Sequence, residues 1–224
     1  MIKSYLSIVF RYMIRHKGFS LINLFGLTIG IACSFLIILY IEDELTYDTF
    51  HPDAKQIYRI GFEGSLQGRK IRSAYTGAPL AGALQKQKDI KSVLRLASWA
   101  TFPMRYQDKT FTEPNLVLAD SNFFRFFNFK LLEGHPDSVL KNERNLVITA
   151  SAAKRYFGDQ SPLGKTMFLA QGYTATIRGI AEDPPPNSHF HFTFILSMKS
   201  WDESTLDSWT NGKVITYAKL NAGT

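Results

Sequence analysis

The chain has 224 residues, with 26 lysines and arginines against 19 aspartates and glutamates, a formal charge of +7 and one cysteine. A single cysteine excludes an intrachain disulfide, and this length holds one sizeable core or two small ones. The basic excess is concentrated: residues 1–17 carry Lys3, Arg11, Arg15 and Lys17 and no acid, while all 19 acidic residues lie at or beyond Glu42, a distribution that fits membrane topology and anionic lipid rather than nucleic acid.

Ile2, Tyr5, Leu6, Val9 and Met13 share one face of a helix, with Lys3, Ser7, Arg11 and Arg15 roughly opposite and Ile14 as an exception. The pattern predicts an amphipathic helix over 1–17 lying on the inner membrane surface. An unstructured basic tail that only sets topology is the competing reading.

Residues 18–41, from Gly18 to Ile41, carry no charge and lie between Lys17 and Glu42-Asp43-Glu44. About 20 helical residues cross a hydrocarbon core about 30 Å thick, so a transmembrane helix is expected here. A buried helix of a soluble core would usually be shorter and keep a polar edge. A cleaved signal peptide would have a shorter apolar region and end in small residues; this run ends in Leu39-Tyr40-Ile41. The basic flank puts the N-terminus in the cytoplasm and residues 42–224 outside, which is the periplasm in a bacterium with two membranes. Within the span Gly26, Gly30 and Ser34 repeat at i, i+4, i+8, the stripe that lets another helix approach closely. Cys33 lies in the span and reads as a small packing residue.

Beyond Glu42 the polypeptide turns polar. Pro52 ends or restarts a helix, and Ile57–Phe62 reads as the first strand. Pro79–Lys86 has helical spacing. Short strands are expected at Val93–Ser98, Met104–Tyr106, Thr110–Thr112 and Asn115–Ala119, with a turn at Gln107-Asp108-Lys109. Asp120 or Ser121 is placed to cap a short helix carrying Phe123, Phe124, Phe126 and Phe127. Next come a strand at Asn145–Thr149, a helix over Ala150–Phe157 stopped by Gly158, and a hairpin of Thr166–Leu169 with Tyr173–Ile180. After Pro184-Pro185-Pro186, strands are expected at Phe190–Ser197 and Val214–Leu220. Strands and helices mix without a regular βαβ repeat, so the fold class is α+β.

Candidate chemistry is sparse. Gly158–Thr166, GDQSPLGKT, has one residue too many for a phosphate loop, and it follows a helix and opens a strand where such a loop does the reverse. Two imidazoles of His189-Phe190-His191 would share one strand face, a spacing that can bind zinc with a third ligand from Asp183, Asp202 or Glu203. The alternate row Phe190, Phe192, Phe194 favours instead a half-buried strand whose wet side carries the histidines. No GxSxG or HExxH pattern occurs, and the phenylalanines at 123–127 read as core rather than ligand surface. No catalytic, cofactor or metal residue is assigned.

Several stretches carry a resemblance: INLFGLTIGIACSFLIILYIEDELTYDTFH, AKQIYRI, LADSNFFRFFNFKLLEGHPDSVL, SAAKRYFGDQSPLGKTM and YTATIRGIAEDPPPNSHFHFTFILSM. In this order they resemble the N-terminal part of ABC-transporter permeases of the MacB/FtsX type, with their MacB-like periplasmic core domain. The resemblance implies a non-enzymatic, membrane-anchored permease module that couples a separate cytoplasmic ATPase subunit to a periplasmic domain, in a homo- or heterodimer of permeases in the inner membrane. Substrates in such families include peptides, lipoproteins, antibiotics and cell-wall enzymes. It also implies that Gly158–Thr166 is a structural loop, and that relatives run on past YAKLNAGT into more periplasmic domain and three further membrane helices. The periplasmic domain over 42–224 is therefore expected to be incomplete. The alternative is a single-span periplasmic sensor or adaptor that binds a partner without an ATPase.

Overall fold

A computed structural model describes residues 2–66, 68–169, 172–210, 214–221 and 223, with only the backbone for 2–6, 66, 99 and 100. Met1 and Thr224, the outer bounds of the expected segments, lie outside these residues, as do the side chains of Ile2, Lys3, Tyr5 and Leu6. The chain divides into two compact units, residues 1–47 and 48–224.

The first unit is helical. Helix α1 spans Ile2–Arg15 and α2 spans Lys17–Thr46. His16 separates them with non-helical backbone, φ −115° and ψ 55°. Helix α2 runs through Glu42-Asp43-Glu44 and so exceeds the uncharged stretch; at 1.5 Å per residue its 30 residues reach about 45 Å. It is long and apolar enough to cross a bilayer, and none of its residues is buried. Two of its mid-span hydroxyls are satisfied internally, as an apolar solvent requires: Thr28 Oγ1 donates to Leu24 O at 2.7 Å and Ser34 Oγ to Gly30 O at 2.9 Å.

The second unit is a sheet with short helices. Its strands are β1 (Ile57–Ile60), β2 (Phe62–Leu66), β3 (Arg69–Ser73), β4 (Ile90–Tyr106), β5 (Lys109–Ala119), β6 (Leu131–Glu133), β7 (Asn145–Thr149), β8 (Thr166–Phe168), β9 (Thr174–Ala181), β10 (Phe194–Ser197) and β11 (Ile215–Leu220). Its helices are α3 (Leu80–Leu84), α4 (Phe123–Phe127), α5 (Ala150–Phe157) and α6 (Glu203–Leu206). The main sheet runs β1-β11-β4-β5-β10-β7-β9-β6, and β8 pairs with both β4 and β9. The hydrogen-bonded path β4-β5-β10-β7-β9-β8 therefore returns to β4. Among the described residues only β5–β10 and β7–β9 are parallel pairs. The mixture is the α+β class expected.

Alternation along the central strands sorts their side chains into two cores. Leu116 and Leu118 of β5, Leu146 and Ile148 of β7, and Phe194 and Leu196 of β10 join Met104, Met167, Ala175 and Ile177 on one side, with Ala152, Tyr156 and Phe157 of α5. The intervening Val117, Ala119, Val147 and Ile195 pack on the other side against Phe123, Phe124, Phe126 and Phe127 of α4, together with Phe129, Phe190 and Phe192. The expected row Phe190, Phe192, Phe194 is thus split. The chain is irregular until Phe194, so the first two rings enter one core and the third enters the other.

Other expectations are corrected in the same way. The two strand pieces at 93–98 and 104–106 are one strand, as are those at 110–112 and 115–119, because β4 and β5 stay in register from Leu96↔Ala119 to Tyr106↔Lys109 with Pro103 and Pro114 inside the pairing. Asp120 and Ser121 do not cap α4; its N-cap is Asn122, without a side-chain cap bond. Asp120 instead accepts from Arg95 N at 2.8 Å, Nε at 3.0 Å and Nη2 at 2.9 Å. Helix α5 follows its sequence signals throughout: Thr149 Oγ1 accepts from Ala152 N, and Gly158 ends it with φ +61°.

The turn after β6 needs a glycine on two counts, backbone and space. Gly134 has φ +98°, and a Cβ there would lie 2.6 Å from Val139 Cγ1 and 2.8 Å from Arg178 O. Gly134→Ala combines strained backbone with overpacking and is expected to destabilise residues 48–224 by about 1–3 kcal/mol. Denaturant unfolding of the full chain checks it, and an unchanged midpoint refutes the steric account.

Candidate functional site

Segment 48–56 follows α2 directly in sequence and is tied to the sheet unit by side chains that repetition or spacing could not reveal. Asp48 has a left-handed φ of +56°, a conformation its short polar side chain tolerates. Its N–H donates to Asn187 O at 2.9 Å. Its carboxylate accepts from His189 N at 3.0 Å and faces His189 Nδ1 at 2.5 Å. His189 Nε2 lies 3.2 Å from the Tyr217 hydroxyl. Both ring nitrogens of His189 are therefore engaged, and burial pushes the Tyr217 hydroxyl up from its ordinary value.

His51, 5% exposed, forms the second tie. Its Nδ1 lies 2.6 Å from Phe127 O and so carries the proton and donates it. The ring sits among Phe50, Phe127 and Phe129, with centroids 4.0, 5.4 and 5.2 Å away. Its Nε2 is buried with no hydrogen-bond partner. Burial holds this imidazole below its ordinary value, opposed by the bond to Phe127 and the charge of Asp48.

Lys219 of β11 supplies the third tie. Its ammonium, buried inside the unit, donates to Asp53 Oδ2 at 3.0 Å and to Phe126 O at 2.7 Å. The lysine hydrogen bond lowers the Asp53 carboxyl below its usual range. The last two residues of α4 thus accept from two directions, His51 and Lys219. The arrangement holds a chain segment against a core; it presents no open nucleophile and no vacant ligand set.

The residues singled out in the sequence lie elsewhere. Gly26, Gly30 and Ser34 line a shallow groove on α2 with Leu27, Ile31, Phe35 and Ile38. A Cβ at Gly26 or Gly30 would meet nothing within 4 Å. Cys33 is exposed on the same helix. In Gly158–Thr166 the backbone is committed to the sheet: Gly164 N donates to Ile177 O at 2.8 Å, and Lys165 O accepts from Ile177 N at 2.9 Å. Lys165 Nζ donates to Gln160 Oε1 at 2.8 Å and stands 5.1 Å from the Phe157 ring centroid.

The proposed zinc spacing does not form, because His189 and His191 are not on a strand. His191 is exposed. Asp183 accepts from Ser151 N and Oγ, Asp202 caps α6 by accepting from Thr205 N, and Glu203 lies in α6. Among the described residues no group of three or more His, Cys, Asp or Glu could hold a metal ion. Sequence reading also missed Glu113, 2% exposed, which accepts from Arg155 Nη2 at 2.6 Å and the Tyr156 hydroxyl at 3.0 Å. Burial first, and then this hydrogen bond, push the Tyr156 hydroxyl up.

Lowered titration of His51 makes the unit sensitive to acid. Below its ordinary value of 6.5 the unfolded imidazole takes a proton that the folded one refuses. Stability is thus expected to fall as pH drops from 6.5, by at most about 1.4 kcal/mol per pH unit, until the folded site protonates. His51→Asn keeps a donor for Phe127 O but does not titrate, so its unfolding free energy should lose this part of the slope. Parallel slopes for the two proteins between pH 7 and pH 5 would remove His51 as the cause.

The comparisons fit this geometry. The family profile described as MacB-like periplasmic core domain matches residues 20–224. A domain of a putative permease protein from Porphyromonas gingivalis is similar at 26% identity with a TM-score of 0.71, over 78% of this chain and 76% of that one. The periplasmic region of MacB from Actinobacillus actinomycetemcomitans shares the fold at 22% identity and a TM-score of 0.56, over 79% of each chain. The extracellular domain of the noncanonic ABC-type transporter YknZ from Gram-positive bacteria shares it at 14% identity and a TM-score of 0.55, over 75% of this chain and 83% of that one. No curated protein matches the chain.

Proposed function

The chain belongs to the MacB-like periplasmic core domain family, and on that premise we propose that it is a membrane-anchored, non-enzymatic permease module of an ABC transporter. The observation that carries the reading is the extent of the match, which takes in most of α2 as well as the sheet unit. In this reading residues 1–17 form a cytoplasmic helix, 18–41 span the inner membrane and 42–224 stand in the periplasm. A separate cytoplasmic ATPase drives motion of the membrane helices, and the ties at Asp48, His51 and Asp53 carry that motion into the sheet. Gly26, Gly30 and Ser34 form the face on which α2 meets another membrane helix, of a second permease copy or of a different permease subunit.

Orientation is supported by the one-sided basic flank. An alkaline phosphatase fusion after Ile41 is expected to be active and a green fluorescent protein fusion dark; the reverse pattern removes the topology.

Coupling is tested by co-expressing the full chain with an ATP-binding-cassette subunit and isolating the membrane complex. The two are expected to co-purify with ATPase activity that belongs to the added subunit, and Lys165→Ala should leave that activity unchanged. ATP hydrolysis by the chain alone would overturn the non-enzymatic reading. Membrane retention without any association would favour the single-span adaptor. Gly30→Ile places a branched side chain in the groove and should weaken self-association of α2 by about 1 kcal/mol, read as the signal of a membrane two-hybrid assay. An unaltered signal makes the stripe incidental.

A further inference from the structure

The β2–β3 ribbon is an excursion from one edge of the main sheet. Its feet are fixed on β11 and on the residue just before it: Ile60 pairs with Thr216 of β11, and Thr76 forms a bridge with Val214. The second foot is reinforced by Thr76 N to Val214 O at 2.8 Å and by the Thr76 and Thr216 hydroxyls at 2.7 Å. With anchor points two residues apart in the chain, at Val214 and Thr216, residues 61–75 have no room to extend the sheet and leave it as a hairpin. The pairing runs from Phe62↔Ser73 to Leu66↔Arg69 and forms a separate two-stranded sheet.

A ribbon of two strands has no core of its own and is marginal in water. Every side chain described on it is exposed except those at Gly64 and Ser73. One face carries Phe62, Gly64 and Ile71, and the Phe62 ring lies over Gly64, 2.5 Å from where a Cβ would stand. The opposite face carries Glu63, Ser65, Lys70 and Arg72. Arg72 pairs with Glu63 at 3.3 Å. Among the described residues Arg69 and Lys70 have no ion-pair partner. Among the described residues the outer edge of β3 is therefore unpaired, with Lys70 and Arg72 on one face and Arg69 beside Ile71 on the other.

We propose that β3 takes an extended acidic segment of a partner protein as a third strand. Main-chain hydrogen bonds to the free edge would supply affinity, and alternate acidic side chains facing Lys70 and Arg72 would select the segment. Charge excludes a second copy of β3, which would set Arg69, Lys70 and Arg72 against themselves; basic residues on an edge strand are how sheets refuse their own kind. The proposal is independent of ATPase coupling.

The test uses the full chain in phosphatidylcholine nanodiscs and a capped, fluorescently labelled peptide of alternating Glu and Val, read by anisotropy. The peptide is expected to bind and to weaken with salt, and its Lys-for-Glu counterpart not to bind. The double variant K70Q/R72Q should lose roughly tenfold in affinity while melting at the wild-type temperature. The same peptide N-methylated at every second residue on its bonding edge should lose binding, because strand addition needs those amides. Equal binding of the N-methylated peptide, or no loss in K70Q/R72Q, overturns the proposal. So does a variant effect confined to vesicles of equal parts phosphatidylcholine and phosphatidylglycerol, which would make a membrane surface the occupant.

Discussion

Burial of both faces of the central strands is the constraint from which the rest of residues 48–224 follows. Strands β10 and β7 have no wet side, and β5 has little at its Leu116–Ala119 end, so odd and even positions there both turn inward and each set needs its own cover. One set closes around α5 and the returning β8; the other is covered by a carpet of phenylalanines from α4 and from the loops carrying Phe129, Phe190 and Phe192. The aromatic rings meet mostly edge to face, as at Phe123 with Phe192 and Phe129 with Phe190, the geometry their quadrupoles favour.

Polar groups enter these cores only in closed sets. Glu113 is matched by Arg155 and Tyr156, Lys219 by Asp53 and a main-chain carbonyl, and Arg95 by both oxygens of Asp120. Removing one partner of such a set leaves the other buried without compensation. Among the described residues two groups depart from this: the Tyr173 hydroxyl is buried without a partner, and His51 has one ring nitrogen satisfied and the other bare, where the chain first meets the core.

Local signals were legible wherever local physics decides. Thr149 and Gly158 bracket α5, and the apolar run before it is a strand because nothing else fits five consecutive buried residues there. The uncharged stretch announced α2, although its helix ignores the acidic triplet, since Glu and Asp are tolerated in a helix once it is propagating. Partners distant in sequence decided the rest. Asp120 is a good capping residue, yet Arg95 offers it three donors. Pro103 and Pro114 lie between the expected strand pieces and are carried inside a long antiparallel pair. The zinc spacing at His189 and His191 required a strand that begins only at Phe194. Of the three ties at the start of the sheet unit, none was readable, because Asp48, His51 and Asp53 find their partners 76 to 166 positions away.

The order of those ties along the chain has a mechanical consequence. Tension applied at residue 48 meets the Asp48 bonds first, then the seated His51 ring, then the Asp53–Lys219 contact, and only afterwards the four register pairs of β1 with β11. The segment works as the strain relief on a cable does: tugging is absorbed by fastenings set ahead of the delicate connection. The sheet edge can therefore stay zipped while the fastenings flex, and because they grip β11, the 187–189 loop and the carbonyls around α4, a pull arriving at one point is spread over the whole aromatic side of the unit.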